Sequence, residues 1–391
     1  MHVMDSSRSV YVVVVLGLSS LAAAMGIGRF AFTPLLPLMQ KEFGVTLQQG
    51  AWLATANYLG YLFGAIASFR LMPRPGAAVR YALVVVAVTT AAMAMTEAQW
   101  VWTGLRFTAG VASAFALVGA SAWTLNRLSA LGRSDMSGWV FSGVGIGIVI
   151  AGVVTLTVGS LGQGTAVAWL MLGACAAMVA IAGWTSLDDG AALSAAPPGK
   201  ASAPLSLSDW SLIICYGAFG FGYIIPATFI PTIARTLVDD ARVFGWAWPF
   251  FGAAAAASTV LAMRYFRKTP SRTVAVWSLL VMAIGVVMPA IAPSIEVIIF
   301  SSFCVGGTFM VMTMAGFQEA RRISSSSPTR LIAAMTAAFA VGQLVGPMLV
   351  GVASRGDSSV ALPSLIAFGV LIAAALVLAR GPAPLAATRT H

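Results

Sequence analysis

Charge is scarce in this sequence. Of 391 residues only 9% are Asp, Glu, Lys or Arg, while 59% are hydrophobic, for a mean hydropathy of +0.91. Soluble domains carry about 25% charged residues, so the chain lacks the polar surface to clothe a soluble core of its size. No long polar stretch exists, which excludes a large soluble domain. Histidine is nearly missing: His2 and His391 stand at the two ends, which excludes a histidine-based triad or metal site. The three cysteines, Cys175, Cys215 and Cys304, lie inside apolar runs. A small thiol packs there like an apolar side chain, and a disulfide framework is not expected. No span clusters His, Asp or Cys, so neither an enzyme nor a cofactor or metal is expected. Strict apolar–polar alternation is missing too, which argues against a transmembrane β-barrel.

What the sequence does contain is a series of continuous apolar runs. They place spans near 10–38, 50–70, 79–96, 99–125, 137–159 and 165–187, then near 210–233, 243–263, 273–291, 295–317, 329–353 and 359–379. A helix crossing the hydrocarbon core needs about 20 apolar residues, and each run suits that length. The expected fold class is all-α integral membrane, with twelve transmembrane helices in two pseudo-symmetric six-helix halves. The N-terminal half covers 10–187 and the C-terminal half 210–379. Between them 188–209, rich in Ala, Ser and Pro and without periodicity, is expected to be a cytoplasmic linker. Residues 10–24 also resemble a signal peptide, with Ala22-Ala23-Ala24 as the cleavage site. The apolar run continues through Met39, however, which favours a first helix.

Lys and Arg number 22 against 12 Asp and Glu, an excess that would suggest nucleic acid in a soluble protein. Here the positive charges sort by loop instead. With the N-terminus inside, 16 fall in cytoplasmic segments and four outside (Lys41, Arg235, Arg242 and Arg355), while Arg29 and Arg106 lie within spans. Cytoplasmic loops carry the excess of Lys and Arg. Both termini are therefore expected in the cytoplasm, in a bacterial-type cytoplasmic (inner) membrane, with the lipid bilayer and not nucleic acid as the large partner.

The two halves share a pattern. Gly26, Gly28 and Pro37 of the first span recur as Gly220, Gly222 and Pro231 of the seventh, at a constant offset of 194. Parallel repeats place a binding site near the midplane between the halves, often beside interrupted helices. These six residues, with Gly346 and Pro347 in the eleventh span, are the expected conformational hinges. Close helix packing is the competing use of the glycines.

At these residues the sequence resembles the major facilitator superfamily, over essentially its whole length. The stretch GIGRFAFTPLLPLM, Gly26 to Met39, resembles the uncharacterised YbfB/YjiJ-like branch. Arg106-Phe-Thr-Ala-Gly110 is similar to the RxxxG signature of the fourth helix. Gly342-Gln-Leu-Val-Gly346-Pro347 is similar to the glycine-and-proline signature of the fifth helix, while the fifth span itself carries Gly143, Gly145, Gly147 and Gly152. One departure stands out: the loop signature after the second helix has an Asp four residues after a Gly, but Gly64 is followed by Ser68. That puts the usual charged latch at the cytoplasmic ends in question. The resemblance implies alternating access and sets the first and fourth helices beside a central cavity. It names no substrate.

The two intramembrane arginines are the main candidates for chemistry. A charge at the bilayer centre costs roughly 2.5–3.5 kcal/mol on insertion scales, so such residues face a cavity or a partner. Arg29 lies about nine residues (~13 Å) from the outer end of its span, and Arg106 about six (~9 Å). None of the 12 acids falls clearly mid-membrane, so the missing partner is expected to be the substrate, a carboxylate suiting the arginine fork. The expected substrate ligands are Arg29, Arg106, Tyr223 (the repeat counterpart of Arg29), Asn57 and Gln343. Each has a structural alternative. An arginine can brace backbone carbonyls, Tyr223 can be a core residue, and Asn57 and Gln343 can bond between helices. Phe244, Trp246, Trp248, Phe250 and Phe251 suit an aromatic belt, with an aromatic substrate as the sharper alternative, and Gln318 to Arg322 suits a solvated helix end. The sequence is therefore read as a secondary active transporter of a small organic solute, an organic anion, that works as a monomer by alternating access. Protons or a counter-anion would couple it. Efflux of hydrophobic compounds and a non-transporting receptor or sensor are the alternatives.

Overall fold

A computed structural model describes residues 2–72, 74–188, 205–237, 241–292, 294–324, 328–353 and 361–380. Among the described residues the regular structure is helical throughout, with no strand. Helix α1 is composite: His2–Leu21, then a π-helical stretch Ala22–Ile27, then a turn and a resumed helix Phe32–Phe43. It is followed by α2 (Leu47–Leu71), α3 (Pro75–Ala92), α4 (Gln99–Ala130), α5 (Ser137–Ser160) and α6 (Thr165–Gly183). The second set is α7 (Leu207–Leu237), α8 (Ala241–Tyr265), α9 (Ser271–Ile291), α10 (Ile295–Ile323), α11 (Pro328–Ala353) and α12 (Ala361–Arg380). Ten stretches among the described residues are long and apolar enough to cross a bilayer, and α2 and α8 complete the two sets of six.

Local chemistry sets the ends. Thr46 and Gln49 form a reciprocal capping box that starts α2. Pro75 opens α3, where its missing N–H has no helical acceptor to serve. Gly44, at φ 66°, takes the left-handed conformation that stops α1. Several helices outrun the apolar cores from which they were expected: α1 continues to Phe43, α4 to Ala130 and α10 to Ile323. Hydropathy marks the part in lipid, while a helix keeps its hydrogen bonds through the polar turns beyond. Of the expected linker, residues 189–204 lie outside the described residues.

Within the first half α4 packs on α2 and α3, α3 on α6, and α1 on α5. Within the second, α7 packs on α11 and α12, and α9 on α10 and α12. Two seams join the halves, α5 against α8 and α2 against α11, and a swap of halves exchanges one for the other. Lipid supplies little hydrophobic drive for helix association, so close backbone approach through small residues has to hold such seams. In the α5–α8 seam a Cβ on Gly252 would stand 2.7 Å from the carbonyl oxygen of Gly145, and one on Gly145 would strike Gly252 and Ala256 in return.

The repeat glycines serve matching contacts. Gly26 lies against the backbone of Gly147 in α5, and Gly220 against the carbonyl of Phe339 in α11. Gly222 meets Leu371, and Gly346 meets Ile224. The two first helices differ in continuity: α1 is interrupted around Gly26 and Gly28, whereas α7 runs unbroken through Gly220 and Gly222. Pro37 sits inside the resumed part of α1. The side chains of Pro231 and Pro347 lie outside the described residues.

Candidate functional site

The site begins with the break in α1. Pro34 and Pro37 have no N–H, so the carbonyls of Phe30 and Thr33 lose their usual donors. Upstream, Gly28 N reaches back to Ala23 O at 2.9 Å and Phe30 N to Met25 O at 3.1 Å, five residues each. This π-type register turns carbonyls sideways, a feature common at functional sites. Neighbouring side chains take them up. Ser113 of α4 donates to Ala24 O at 2.7 Å. Arg106 of α4 donates from Nη1 to Gly28 O at 3.2 Å and from Nη2 to Arg29 O at 3.0 Å. Its guanidinium lies over Phe32, 4.9 Å from the ring centroid, and the side chain is only 4% exposed. Asn57 of α2 donates to the carbonyl of Arg106 at 2.9 Å. Arg106 and Asn57, both expected at the ligand, thus form a polar chain through α2, α4 and α1 and engage main chain.

Arg29 projects from the same break into a different setting. It is 2% exposed, and its Nη2 donates to Oε1 of Gln343 in α11, across the two halves. The guanidinium carbon sits 3.7 Å from the Tyr61 ring centroid, with Phe30, Tyr58 and Phe339 at 5.5, 5.6 and 5.8 Å. Such cation–π contacts contribute about 2 kcal/mol when desolvated. They stabilise the cation but leave part of its hydrogen-bonding edge unmet. Nε and Nη1 of Arg29 have no hydrogen-bond partner, nor has Nε2 of Gln343 or Oδ1 of Asn57. Among the described residues no Asp or Glu reaches Arg29. Four ion pairs, Arg127–Asp188, Arg133–Asp135, Arg267–Asp135 and Arg322–Glu319, lie instead toward the arginine-rich ends of the helices.

The facing wall belongs to the second half and is aromatic. Tyr223 of α7 stacks on Phe309 of α10, with centroids 4.4 Å apart and planes 13° apart. Phe339 of α11 packs on Phe219 at 4.9 Å and approaches Tyr223 at 6.1 Å. Phe30 meets Phe309 edge-on at 5.7 Å, joining the halves at the level of Arg29. Of the aromatic residues of α8, Trp246 and Phe250 are exposed, as a membrane belt requires. Trp248 stacks on Phe251, which turns inward to Phe309 at 6.3 Å. The side chain of Phe244 lies outside the described residues.

The arginine-rich end corrects one expectation. Gln318 to Arg322 does not form a merely solvated terminus. Glu319 is 2% exposed and accepts from Ser271 at 2.7 Å and from Arg322 at 2.8 and 2.5 Å. Gln318 donates to Ser137 at 2.8 Å and Arg321 to Asn126, both across the halves. Arg330 of α11 lies 4.7 Å over the ring of Phe69 in α2. Gln318, Arg321, Arg322 and Asn126 line a cavity of about 710 Å³, together with Asp135 and Arg267. The halves are thus joined here without the Asp that the second-helix loop lacks. Their partners lie far apart in the chain, so no local signal marked them; Tyr58, Tyr61 and Phe339 around Arg29 were missed for the same reason.

The chain matches the family described as "Uncharacterised MFS-type transporter YbfB" over residues 21–379. It is similar to a protein of Streptomyces lividans described as a chloramphenicol resistance protein. The two are 26% identical over 373 residues, covering 91% of this chain and 92% of the relative. Its fold is similar to the crystal structure of the human organic anion transporter MFSD10 (TETRAN), with a TM-score of 0.72 and 15% identity over 95% of this chain and 99% of that one.

Proposed function

This chain belongs to the YbfB-type branch of the major facilitator superfamily of transporters, and from that premise we propose that it is a secondary active transporter of a small organic anion. The observation that carries the proposal is the state of Arg29. A cation is buried between the halves, bonded to a neutral amide, with Nε and Nη1 unpartnered and no acid in reach among the described residues. A buried charge without a counter-charge is costly. An anion entering here would neutralise the guanidinium and offer acceptors to both free nitrogens. Gln343, from the opposite half, supplies the acceptor that Arg29 has here. Arg106 serves the site indirectly, by fixing the interrupted segment from which Arg29 projects.

The transport cycle would rock the six-helix halves, 10–187 and 210–379, about the site, with 188–209 joining them and the glycine and proline positions of α1, α7 and α11 absorbing the motion. The arginine-rich end would face the cytoplasm of a bacterial-type cell, with both termini there and the protein acting as a monomer. Coupling would use a counter-anion, or a proton carried on the substrate's own acid group. A second reading, efflux of hydrophobic compounds, is favoured by the resistance relative and by the aromatic wall around Tyr223 and Phe309.

Counterflow in liposomes distinguishes the two readings. Arg29→Ala and Arg29→Lys should each reduce organic-anion counterflow by about tenfold or more, with membrane insertion and melting temperature close to wild type. Lysine fails because a point charge cannot replace the planar fork. Near-full activity in Arg29→Lys would remove bidentate binding. Unchanged activity in Arg29→Ala would remove the anion reading and leave hydrophobic efflux.

A further inference from the structure

We infer that the anion is a monocarboxylate carried on a flat aromatic body, with its carboxylate on Arg29 and its ring against Tyr223, Phe309 and Phe339; this rests on the organic-anion reading of Arg29. The polar half of the inference comes from an imbalance of donors. Nε and Nη1 of Arg29, Nε of Arg106 and Nε2 of Gln343 are buried N–H donors without partners, whereas among these neighbouring described side chains Oδ1 of Asn57 is the one unpartnered acceptor. An occupant that satisfies them must bring acceptors and few donors. An ionised carboxylate is acceptor-only, with two oxygens in one plane, and suits the guanidinium fork. The charge is limited to one. Arg106 already commits Nη1 and Nη2 to the carbonyls of Gly28 and Arg29 and leaves Nε alone without a partner, so a second carboxylate would find no free pair of nitrogens there.

The apolar half comes from the placement of rings. Tyr61 lies over the face of the guanidinium at 3.7 Å, so an anion approaches Arg29 along its edge. Phe30 and Phe339 stand within 5.5 and 5.8 Å of the same carbon and lead from the cation to the Tyr223–Phe309 stack. That stack, 4.4 Å apart and 13° from parallel, already has the offset geometry in which aromatic rings attract. A ligand ring entering between its members would exchange one ring contact for two similar ones. It would also part the Phe30–Phe309 contact at the level where Arg29 meets Gln343, so occupancy would be felt by both halves. An aliphatic acid of similar size would satisfy Arg29 equally well but would lose those ring contacts.

The test is binding to the purified full chain in nanodiscs, by calorimetry, with three probes: 2-naphthoate, cyclohexanecarboxylate and 2-naphthamide. The naphthoate should bind at least about tenfold more tightly than either of the others, a difference of about 1.4 kcal/mol. Phe309→Leu should weaken naphthoate by about tenfold and cyclohexanecarboxylate by much less, collapsing the ratio. Phe339→Leu supplies a second ring deletion should the first lower the melting temperature. Suppose both carboxylates bind alike, Arg29→Ala abolishes both, and the ring variants leave the ratio unchanged. The aromatic inference is then overturned while the anion reading stands. If naphthamide binds as tightly as naphthoate and Arg29→Ala changes neither, or if no carboxylate binds, the anion reading falls and the inference with it.

Discussion

Arg106 holds two main-chain carbonyls, those of Gly28 and Arg29, that the break in α1 frees from helical pairing. Hydrogen bonds from a charged group contribute about 1.5–3 kcal/mol each when they replace an otherwise unsatisfied buried acceptor. Arg106→Gln should therefore lower the melting temperature clearly, while the folded fraction retains nearly wild-type affinity for anions. Loss of affinity at an unchanged melting temperature would move Arg106 into the ligand shell. Arg29→Ala should do the reverse. That both arginines lie within spans was legible in the sequence, because each interrupts an apolar run without an acid beside it. Their different partners were not. These depend on which carbonyls the π-type register exposes and on Gln343, which lies 314 residues from Arg29 along the chain.

Among the elements, the α5–α8 seam rests on main chain touching main chain at Gly145 and Gly252. Any side chain there must push the helices apart, and overpacking of this kind typically costs about 1–3 kcal/mol. Gly145→Val should abolish liposome transport although the protein still inserts. Gly104→Ala and Gly369→Ala, where a Cβ would meet nothing within 4 Å, should leave transport and melting temperature unchanged. Equal loss in the seam variant and the controls would mean that helix flexibility, not seam spacing, is being measured. The apolar runs located every helix, although several ends lie five to eight residues beyond them. The repeated glycines of the first and seventh spans also foretold matching helix contacts. The interruption of α1 alone could not be foreseen from glycines that both helices share. It is supported by donors in α4, Arg106 and Ser113, which meet the loosened carbonyls only once the bundle forms.

For the whole molecule, the distribution of Lys and Arg predicts which end faces the cytoplasm. In a background without Cys175, Cys215 and Cys304, Lys268→Cys should react with an impermeant maleimide only from the cytoplasmic side. Gln163→Cys, in the turn between α5 and α6, should react only from the opposite side. The reverse pattern would invert the topology. The expected all-α bundle of two six-helix halves is present because hydropathy and repeat spacing act over the whole chain. The contacts that close its arginine-rich end are not written in any window of sequence: Gln318 pairs with a residue 181 positions away and Arg321 with one 195 away.

Arg29 lies well inside the apolar stretch Ser9–Phe43, and its hydrogen-bond partner, the amide of Gln343, is uncharged. Arg106, buried on the carbonyls of Gly28 and Arg29, adds a second positive charge. On the proposed reading, the empty carrier keeps two positive charges within the membrane's electric field, and a carrier loaded with a monoanion keeps one. A transmembrane voltage does work of about 2.3 kcal/mol per elementary charge per 100 mV, scaled by the fraction of the field that the charge crosses. The voltage would then grip the empty carrier harder than the loaded one. A membrane that is negative inside would weigh more on resetting than on the passage of the cargo.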